Sequence, residues 1–121
     1  MLIVDDEKAI LFAMGDYFEV RGYEVDCARD RTEAERLLAE RGYAALITDL
    51  RLTGSDDVDG LHIAAYALER QPSLCIILLT AYGTPEIRKS AHAQGVIACL
   101  SKPSPLDQIA DTVSKLLGRA A

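Results

Sequence analysis

The chain has 121 residues and a mass of 13.2 kDa, which suits one compact domain better than two full ones. Half of its residues are hydrophobic and 26% are charged, a balance that argues against a disordered, collagen-like or coiled-coil chain. The formal net charge of −6 and the absence of a basic patch argue against direct binding to nucleic acid or to an anionic membrane surface.

No apolar run approaches the roughly 20 residues that a membrane span needs, and the first residues lack the basic region and cleavage site of a secretory signal. We therefore expect a cytoplasmic protein. The three cysteines, Cys27, Cys75 and Cys99, are far apart in apolar stretches, which predicts buried, reduced thiols rather than a disulfide framework or a metal clip.

Short apolar runs of strand length alternate five times with longer segments of helical period. The predicted strands are residues 2–5, 23–27, 45–49, 74–80 and 96–100. A helix is predicted after each strand, and the fourth, over residues 84–94, has the weakest apolar face. The apolar faces of the other four are Ile10, Met14, Tyr17 and Phe18; Ala34, Leu37 and Leu38; Leu61, Ala64, Ala65 and Leu68; and Leu106, Ile109, Ala110, Val113, Leu116 and Leu117.

Local sequence signals mark where these helices begin and end. Two hydroxyl–proline pairs predict capped helix starts, at Thr84-Pro85 and Ser104-Pro105. Glycines just past the apolar faces predict left-handed helix ends, at Gly22, Gly42, Gly95 and Gly118.

Right-handed crossovers between parallel strands then favour a doubly wound α/β fold. We predict a flavodoxin-like (βα)5 domain with a five-stranded parallel sheet of order 2-1-3-4-5 and helices on both faces. It should span residues 1–121 as a single domain, either complete or as a fragment of a longer protein.

Polar residues follow the carboxyl ends of four predicted strands, which is where open α/β sheets bind ligands. Asp5 and Asp6 end the first strand, Asp49 the third and Thr80 the fourth, and Lys102 follows the fifth. The first and third strands are neighbours in the predicted order, so their carboxylates should converge. Like charges about 4 Å apart repel by roughly 4 kcal/mol at an effective dielectric of 20, which a hard divalent cation such as Mg²⁺ would offset. With a lysine and a hydroxyl nearby, the set suggests phosphoryl-transfer chemistry.

Together these residues resemble the receiver domain of response regulators, the CheY-like phosphoacceptor of two-component signalling. The resemblance covers essentially the whole chain and rests on the acidic pair in Val4-Asp5-Asp6-Glu7, on Asp49 in Ile47-Thr48-Asp49-Leu50, on Thr80-Ala81 and on Lys102-Pro103. It implies that Asp49 accepts a phosphoryl group from a phosphohistidine, and that Thr80 and Lys102 bind the phosphoryl oxygens.

The resemblance also implies a metal site and a switching surface. Asp6, Asp49 and the main-chain carbonyl of Arg51 would ligate Mg²⁺ or Mn²⁺, with Asp5 acting mainly through a bound water. Thr80 would move on phosphorylation, and Lys102-Pro103 would be a cis peptide. Implied partners are a histidine kinase or a histidine phosphotransfer protein, and a second copy of the chain through the face formed by the fourth helix, fifth strand and fifth helix.

Three features depart from the family pattern. Cys99 stands three residues before the lysine, where the family usually has an aromatic residue, so either Tyr82 takes part in signalling or the output is rewired. The loop over residues 49–60 lacks the usual proline and is longer than usual, and its stretch over residues 54–59 should be mobile. Arg51 and Tyr82 are large enough to shape the approach of water to the acyl phosphate, and we expect them to tune its lifetime.

Other interpretations stay open at this point. Taken singly, the acidic pair could be a helix cap, Asp49 a turn residue, Thr80 an ordinary strand residue and Lys102 a surface lysine. A receiver domain would be a regulatory module rather than an enzyme. The alternatives are a receiver-like interaction module that is never phosphorylated and an aspartyl-phosphate phosphatase of haloacid-dehalogenase type, although that class separates its two carboxylates by one residue.

Overall fold

The computed structural model describes residues 1–50, 59–80, 84–102 and 104–118. The strands are β1 (Leu2–Val4), β2 (Asp26–Ala28), β3 (Ala45–Asp49), β4 (Cys75–Thr80) and β5 (Ala98–Ser101). The helices are α1 (Lys8–Val20), α2 (Arg31–Glu40), α3 (Asp59–Arg70), α4 (Pro85–Gln94) and α5 (Leu106–Leu117). All strand pairs are parallel and the order is β2-β1-β3-β4-β5, which confirms the predicted doubly wound α/β fold.

Successive residues of each central strand point to opposite faces of the sheet, so the strands feed two separate cores. In β4, Ile76 and Leu78 pack into the core covered by α2, α3 and α4, whereas Ile77 and Leu79 pack into the core covered by α1 and α5. Burial on both faces explains why this strand is an almost unbroken apolar run. None of the described helices combines the length and apolarity needed to span a bilayer.

The predicted helix faces are largely confirmed, with one exception in α3. Ile63, Ala64 and Ala67 are fully buried there, whereas Ala65 is exposed. Buried positions three and four residues apart define one side of a helix, and Ala65 falls on the other side. The prediction that Ala65 faces the core was therefore wrong.

The second strand begins three residues later than predicted. Tyr23 donates its amide to Phe18 O as part of the C-terminal turn of α1, where Gly22 has a left-handed φ of +93°. Pairing with β1 therefore starts at Asp26, opposite Leu2. The amides of Gly22 and Tyr23 close the C-terminal turn of α1, so the Tyr23 amide is not available for pairing with β1.

Two predicted helix boundaries were also wrong. Gly42 does not terminate α2 in a left-handed conformation, because the helix ends at Glu40 and the next residue, Arg41, is extended. The side-chain nitrogen of Gln71 instead donates to carbonyls at the end of α2, at 3.3 Å to Leu38 O and 2.8 Å to Arg41 O. Ser104 does not cap α5 either, because its hydroxyl donates to Ser101 O.

The fifth strand begins at Ala98, two residues later than predicted, whereas the other predicted helix ends hold. The Thr84 hydroxyl caps α4 by accepting the Ile87 amide at 3.2 Å, with Pro85 in the first turn. Gly95 and Gly118 end α4 and α5 with left-handed φ angles of +103° and +69°. The cysteines are free thiols as expected, but none of the three is fully buried: Cys75 and Cys99 are partly buried, and Cys27 is exposed on the edge strand β2.

Candidate functional site

The sheet topology brings the chemically interesting residues to one edge of the sheet. Each lies at or just after the carboxyl end of a strand, and the ladder continues by one hydrogen bond beyond three of those strands. Asp5 donates its amide to Ala28 O at 3.1 Å, Leu50 to Leu79 O at 2.9 Å and Lys102 to Thr80 O at 2.9 Å. These bonds fix the backbone from which the Asp5, Asp49 and Lys102 side chains project.

Lys102 joins the two neighbouring strands β1 and β3 through its ammonium group. The nitrogen Nζ lies 3.0 Å from Asp49 Oδ2 and 3.2 Å from Asp5 Oδ2 and donates to both. The three side chains are 21%, 13% and 3% exposed, respectively. One partly buried cation therefore bridges two carboxylates that stand at the ends of neighbouring strands.

The two carboxylates are held differently. Asp5 also accepts the Glu7 amide at its second oxygen, Oδ1, at 2.9 Å, so both of its oxygens have donors. For Asp49, the donor placed by the described part of the chain is Lys102, at Oδ2. The Asp49 side chain is also the more exposed of the two, at 13% against 3%.

Three carboxylates meet at this point. Asp5, Asp6 and Asp49 each offer an oxygen, and these oxygens lie within 4.8 Å of one another. Burial raises the pKa of Asp49 above its ordinary value; Lys102 opposes the rise, and the charges of Asp5 and Asp6 add to it. Burial also opposes protonation of Lys102, but Asp49 and Asp5 outweigh this effect and raise its pKa. The cluster thus has more negative charge than one ammonium neutralises.

The residues present fit a hard divalent cation. Mg²⁺ and Mn²⁺ prefer oxygen ligands, and Mg²⁺ is usually held by one or two carboxylates with waters completing its shell. Three carboxylate oxygens that converge beside a partly exposed edge provide such a donor set. The raised pKa of Asp49 is consistent with this, because burial and the charges of Asp5 and Asp6 disfavour its anionic form and a bound cation would oppose them.

The remaining predicted site residues have different positions. Thr80 is 2% exposed at the end of β4, beside Ser101 in the register of β5. Cys99 is half-buried in β5 and packs against the core beneath α4. The predictions for Arg51, Tyr82 and Pro103, and for the loop over residues 51–58, fall outside the described residues.

Gly60 is a residue of this site that sequence reasoning treated only as the end of a loop. A β-carbon there would lie 2.4 Å from Asp49 O and 2.8 Å from Leu50 Cα, so the first turn of α3 sits directly against the backbone of Asp49. The Gly60 amide also donates to Leu50 O at 2.9 Å. The sequence does show a glycine beside an acidic residue, Asp59-Gly60, but it does not show that this glycine packs against the backbone of Asp49.

Asp59 is 2% exposed and lies within the first turn of α3. Its Oδ2 is buried and has no hydrogen-bond partner among the residues that the structure describes. The burial of an acidic residue here accompanies the close approach of α3 to β3 at the next residue, Gly60.

Comparison with known proteins identifies the family. The family model described as the response regulator receiver domain matches residues 1–114. The transcriptional regulatory protein GlrR of Escherichia coli K12 is 31% identical over 121 residues, which are all of this chain and 27% of that protein. The chain thus spans about a quarter of the length of this relative.

Solved structures show the same fold. A CheY-like receiver domain protein from Methanospirillum hungatei superposes with a TM-score of 0.89 at 26% identity, covering 97% of this chain and 91% of that one. A response regulator from Burkholderia pseudomallei, solved with a phosphorylated aspartic acid, a calcium ion and citrate, gives 0.86 at 26% identity over 97% and 67% of the two chains. With its strand order and the family match over nearly its full length, this chain belongs to the response regulator receiver domains of two-component signalling.

Proposed function

We propose that Asp49 is the phosphoacceptor of this receiver domain and that Asp5, Asp6 and Asp49 bind Mg²⁺ or Mn²⁺ for the transfer. The single observation that carries the proposal is the contrast between the two carboxylates bridged by Lys102. Asp5 is buried with donors at both oxygens, whereas Asp49 is more exposed and receives its described donor at Oδ2 alone. This contrast favours Asp49 over Asp5 as the residue that forms the new bond.

The proposed transfer is an in-line displacement at phosphorus. An Asp49 carboxylate oxygen forms the new P–O bond while the P–N bond to the donor's imidazole breaks, and the ring nitrogen keeps the electron pair of that bond. Catalysis of such a step is mostly positioning and neutralisation of charge. Lys102 is placed to do both, because its ammonium orients Asp49 and can donate to a phosphoryl oxygen bound beside it.

Asp5 and Asp6 complete the proposed metal site with Asp49. A bound Mg²⁺ would neutralise the carboxylates and the incoming phosphoryl oxygens. The residues of the chain contribute the rest: the Glu7 amide orients Asp5, and the strand ends hold the three acids together. The calcium ion and phosphorylated aspartate named for the Burkholderia pseudomallei structure support both parts of the proposal.

The phosphodonor in this proposal is the phosphohistidine of a histidine kinase or a histidine phosphotransfer protein in the cytoplasm. An acyl phosphate at Asp49 adds charge and acceptor oxygens that compete for the Lys102 ammonium. This competition would favour a different conformation at the neighbouring strand ends. Thr80, buried at the end of β4, would donate to the phosphoryl group. The expected output surface is formed by α4, β5 and α5, through which the chain would contact its target or a second copy.

The test is labelling by a small phosphodonor. We would incubate the protein with acetyl phosphate and Mg²⁺ and measure intact mass, with Asp49→Asn as the isosteric variant and Asp111→Asn as control, because Asp111 is an exposed acid paired with Lys115 on α5. We expect one phosphoryl adduct on the parent and on the control and none on Asp49→Asn. Chelation of the metal should abolish labelling.

Two results would contradict the proposal. A parent protein that stays unlabelled while binding Mg²⁺ would favour an interaction module that is never phosphorylated. Steady hydrolysis of a phosphate ester, with release of many phosphates per chain, would favour a phosphatase of haloacid-dehalogenase type over a regulatory domain.

A further inference from the structure

Arg88 connects α4 to the edge strand β5 through a fork of two hydrogen bonds. Its Nη1 donates to Cys99 O at 2.9 Å and its Nη2 to the Ser101 hydroxyl at 2.9 Å. Within the described residues the guanidinium forms no ion pair, so its charge is directed at these two neutral acceptors. Such a planar fork fixes orientation as well as distance.

The acceptors of Arg88 lie next to the proposed phosphorylation site along the chain. Ser101 pairs with Thr80 in the register of the sheet, and the following residue, Lys102, donates its amide to Thr80 O. The Lys102 ammonium in turn contacts Asp49. A displacement of Lys102 would therefore move the adjacent residue, Ser101, whose hydroxyl accepts a hydrogen bond from Arg88.

The fork is important for α4 because this helix has few other buried contacts. Across its whole described length, Pro85–Gln94, Ala91 is the one fully buried residue, whereas α3 buries six. Ile87 adds a partly buried contact to the same core. A helix with so little buried apolar surface is held by few interactions, and the loss of two charge-assisted hydrogen bonds should free it locally without unfolding the domain.

The space that the fork occupies exists because β5 carries small side chains there. Cys99 and Ser101 are two residues apart and therefore share one face of the strand. Cys99 packs against the core on the α4 side. A larger side chain at position 99 would compete with the Arg88 guanidinium for the same face.

We propose that Arg88 is a latch that holds α4 against β5 in the unphosphorylated protein and is weakened when Asp49 is phosphorylated. The trigger is the new acceptor for the Lys102 ammonium, which shifts the end of β5 and with it the Ser101 hydroxyl. This inference rests on the proposed function, and it adds the specific contact through which the site would control α4.

The experiment is amide hydrogen exchange over residues 84–94, measured by mass spectrometry before and after treatment with acetyl phosphate and Mg²⁺. Arg88→Met removes both donors but keeps an unbranched side chain, and Ser101→Ala removes one acceptor at an exposed position. Arg36→Met is the matched control, because Arg36 is an exposed helical arginine paired with Glu40 at 3.6 Å. Intact mass on the same samples reports phosphorylation independently.

We expect exchange of α4 in unphosphorylated Arg88→Met to be about three- to tenfold faster than in the parent, with a smaller increase in Ser101→Ala and no change in Arg36→Met. Phosphorylation should accelerate exchange in the parent and in Arg36→Met, but should change Arg88→Met by less than about twofold. If Arg88→Met fails to fold, the graded response of Ser101→Ala carries the same comparison.

The latch is refuted if α4 exchanges equally fast in the unphosphorylated parent and the latch variants, or if labelled Arg88→Met keeps the full response of the parent. A labelled parent whose α4 exchange is unchanged also refutes it. Absence of the phosphoryl adduct from the parent would instead overturn the proposed function, and the exchange rates of the untreated proteins would still decide whether Arg88 holds α4.

Discussion

Replacing Gly60 by alanine should damage both the stability of the domain and the site. The new β-carbon would lie 2.4 Å from Asp49 O, 2.8 Å from Leu50 Cα and 2.9 Å from Leu78 Cδ1. Two of these atoms belong to the backbone of the chain at the end of β3, so neither can turn away as a flexible side chain would. Either α3 or the end of β3 must move.

The expected cost follows from two opposing effects. Alanine in a helix is favoured over glycine by up to about 1 kcal/mol. Overpacking of a well-packed interior costs about 1–3 kcal/mol, and we expect the upper end here because the obstructing backbone is hydrogen-bonded from Leu50 to Leu79 O at 2.9 Å. The free energy of unfolding should therefore fall by about 2 kcal/mol. The same clash would displace the backbone of Asp49 and so disturb the site.

Gly15→Ala provides the matched control for equilibrium urea unfolding. Gly15 lies inside α1, and a β-carbon there would meet Cys27 Sγ at 3.6 Å and Val25 Cγ1 at 3.8 Å, which are ordinary contacts. This variant should be stabilised by about 0.5–1 kcal/mol, so the same substitution should have opposite signs at the two glycines. Gly60→Ala should also be labelled more slowly by acetyl phosphate, whereas Gly15→Ala should not. Equal stability of Gly60→Ala and the parent would refute this reasoning.

Three further changes test other contacts. Burial and the hydrogen bond from Tyr43 to Asp26 at 2.7 Å raise the pKa of the Tyr43 phenol. The stability that the protonated phenol contributes to the fold is complete below about pH 10 and is lost as the pH rises through the raised pKa. Tyrosinate absorbance should therefore show a late step that Tyr43→Phe lacks, and identical titration curves would contradict this. Gln71→Met should cost about 1 kcal/mol in urea unfolding, because a part-buried carbonyl at Leu38 and an exposed one at Arg41 lose their donor; a change below about 0.5 kcal/mol would count against that role. Lys102→Met should tighten Mg²⁺ binding about tenfold in calorimetry, since the ammonium competes for Asp49, yet slow phosphorylation; weaker Mg²⁺ binding would contradict the competition.

The fold and the meeting point of the acids could be predicted because both depend on features that are local in the sequence. Alternating apolar runs define strands buried on both faces, and the carboxyl ends of parallel strands share one edge. Asp5, Asp49 and Lys102 each sit at such an end, so the topology alone brings them together. Their roles in phosphoryl transfer stay predictions until labelling is measured.

The two failed helix-boundary predictions have different causes. Gly42 was expected to end α2 because a glycine often does, but a side chain 29 positions away supplies the donor instead. A local pattern contains no information about which distant group will be available. The serine before Pro105 looked like a cap, yet its hydroxyl donates backwards to Ser101 O, so one local hydrogen bond replaced another.

Residues that support the backbone through its carbonyl groups are harder to find in a sequence than the residues that form the site. Gly60 is required by the carbonyl oxygen of Asp49, Gln71 donates to carbonyls, and one of the two Arg88 bonds ends on Cys99 O. Backbone acceptors exist at every position, so no complementary side chain marks the partner in the sequence. A carboxylate facing a lysine can be inferred from residue types, whereas a side chain that binds a carbonyl becomes visible only when the fold is known.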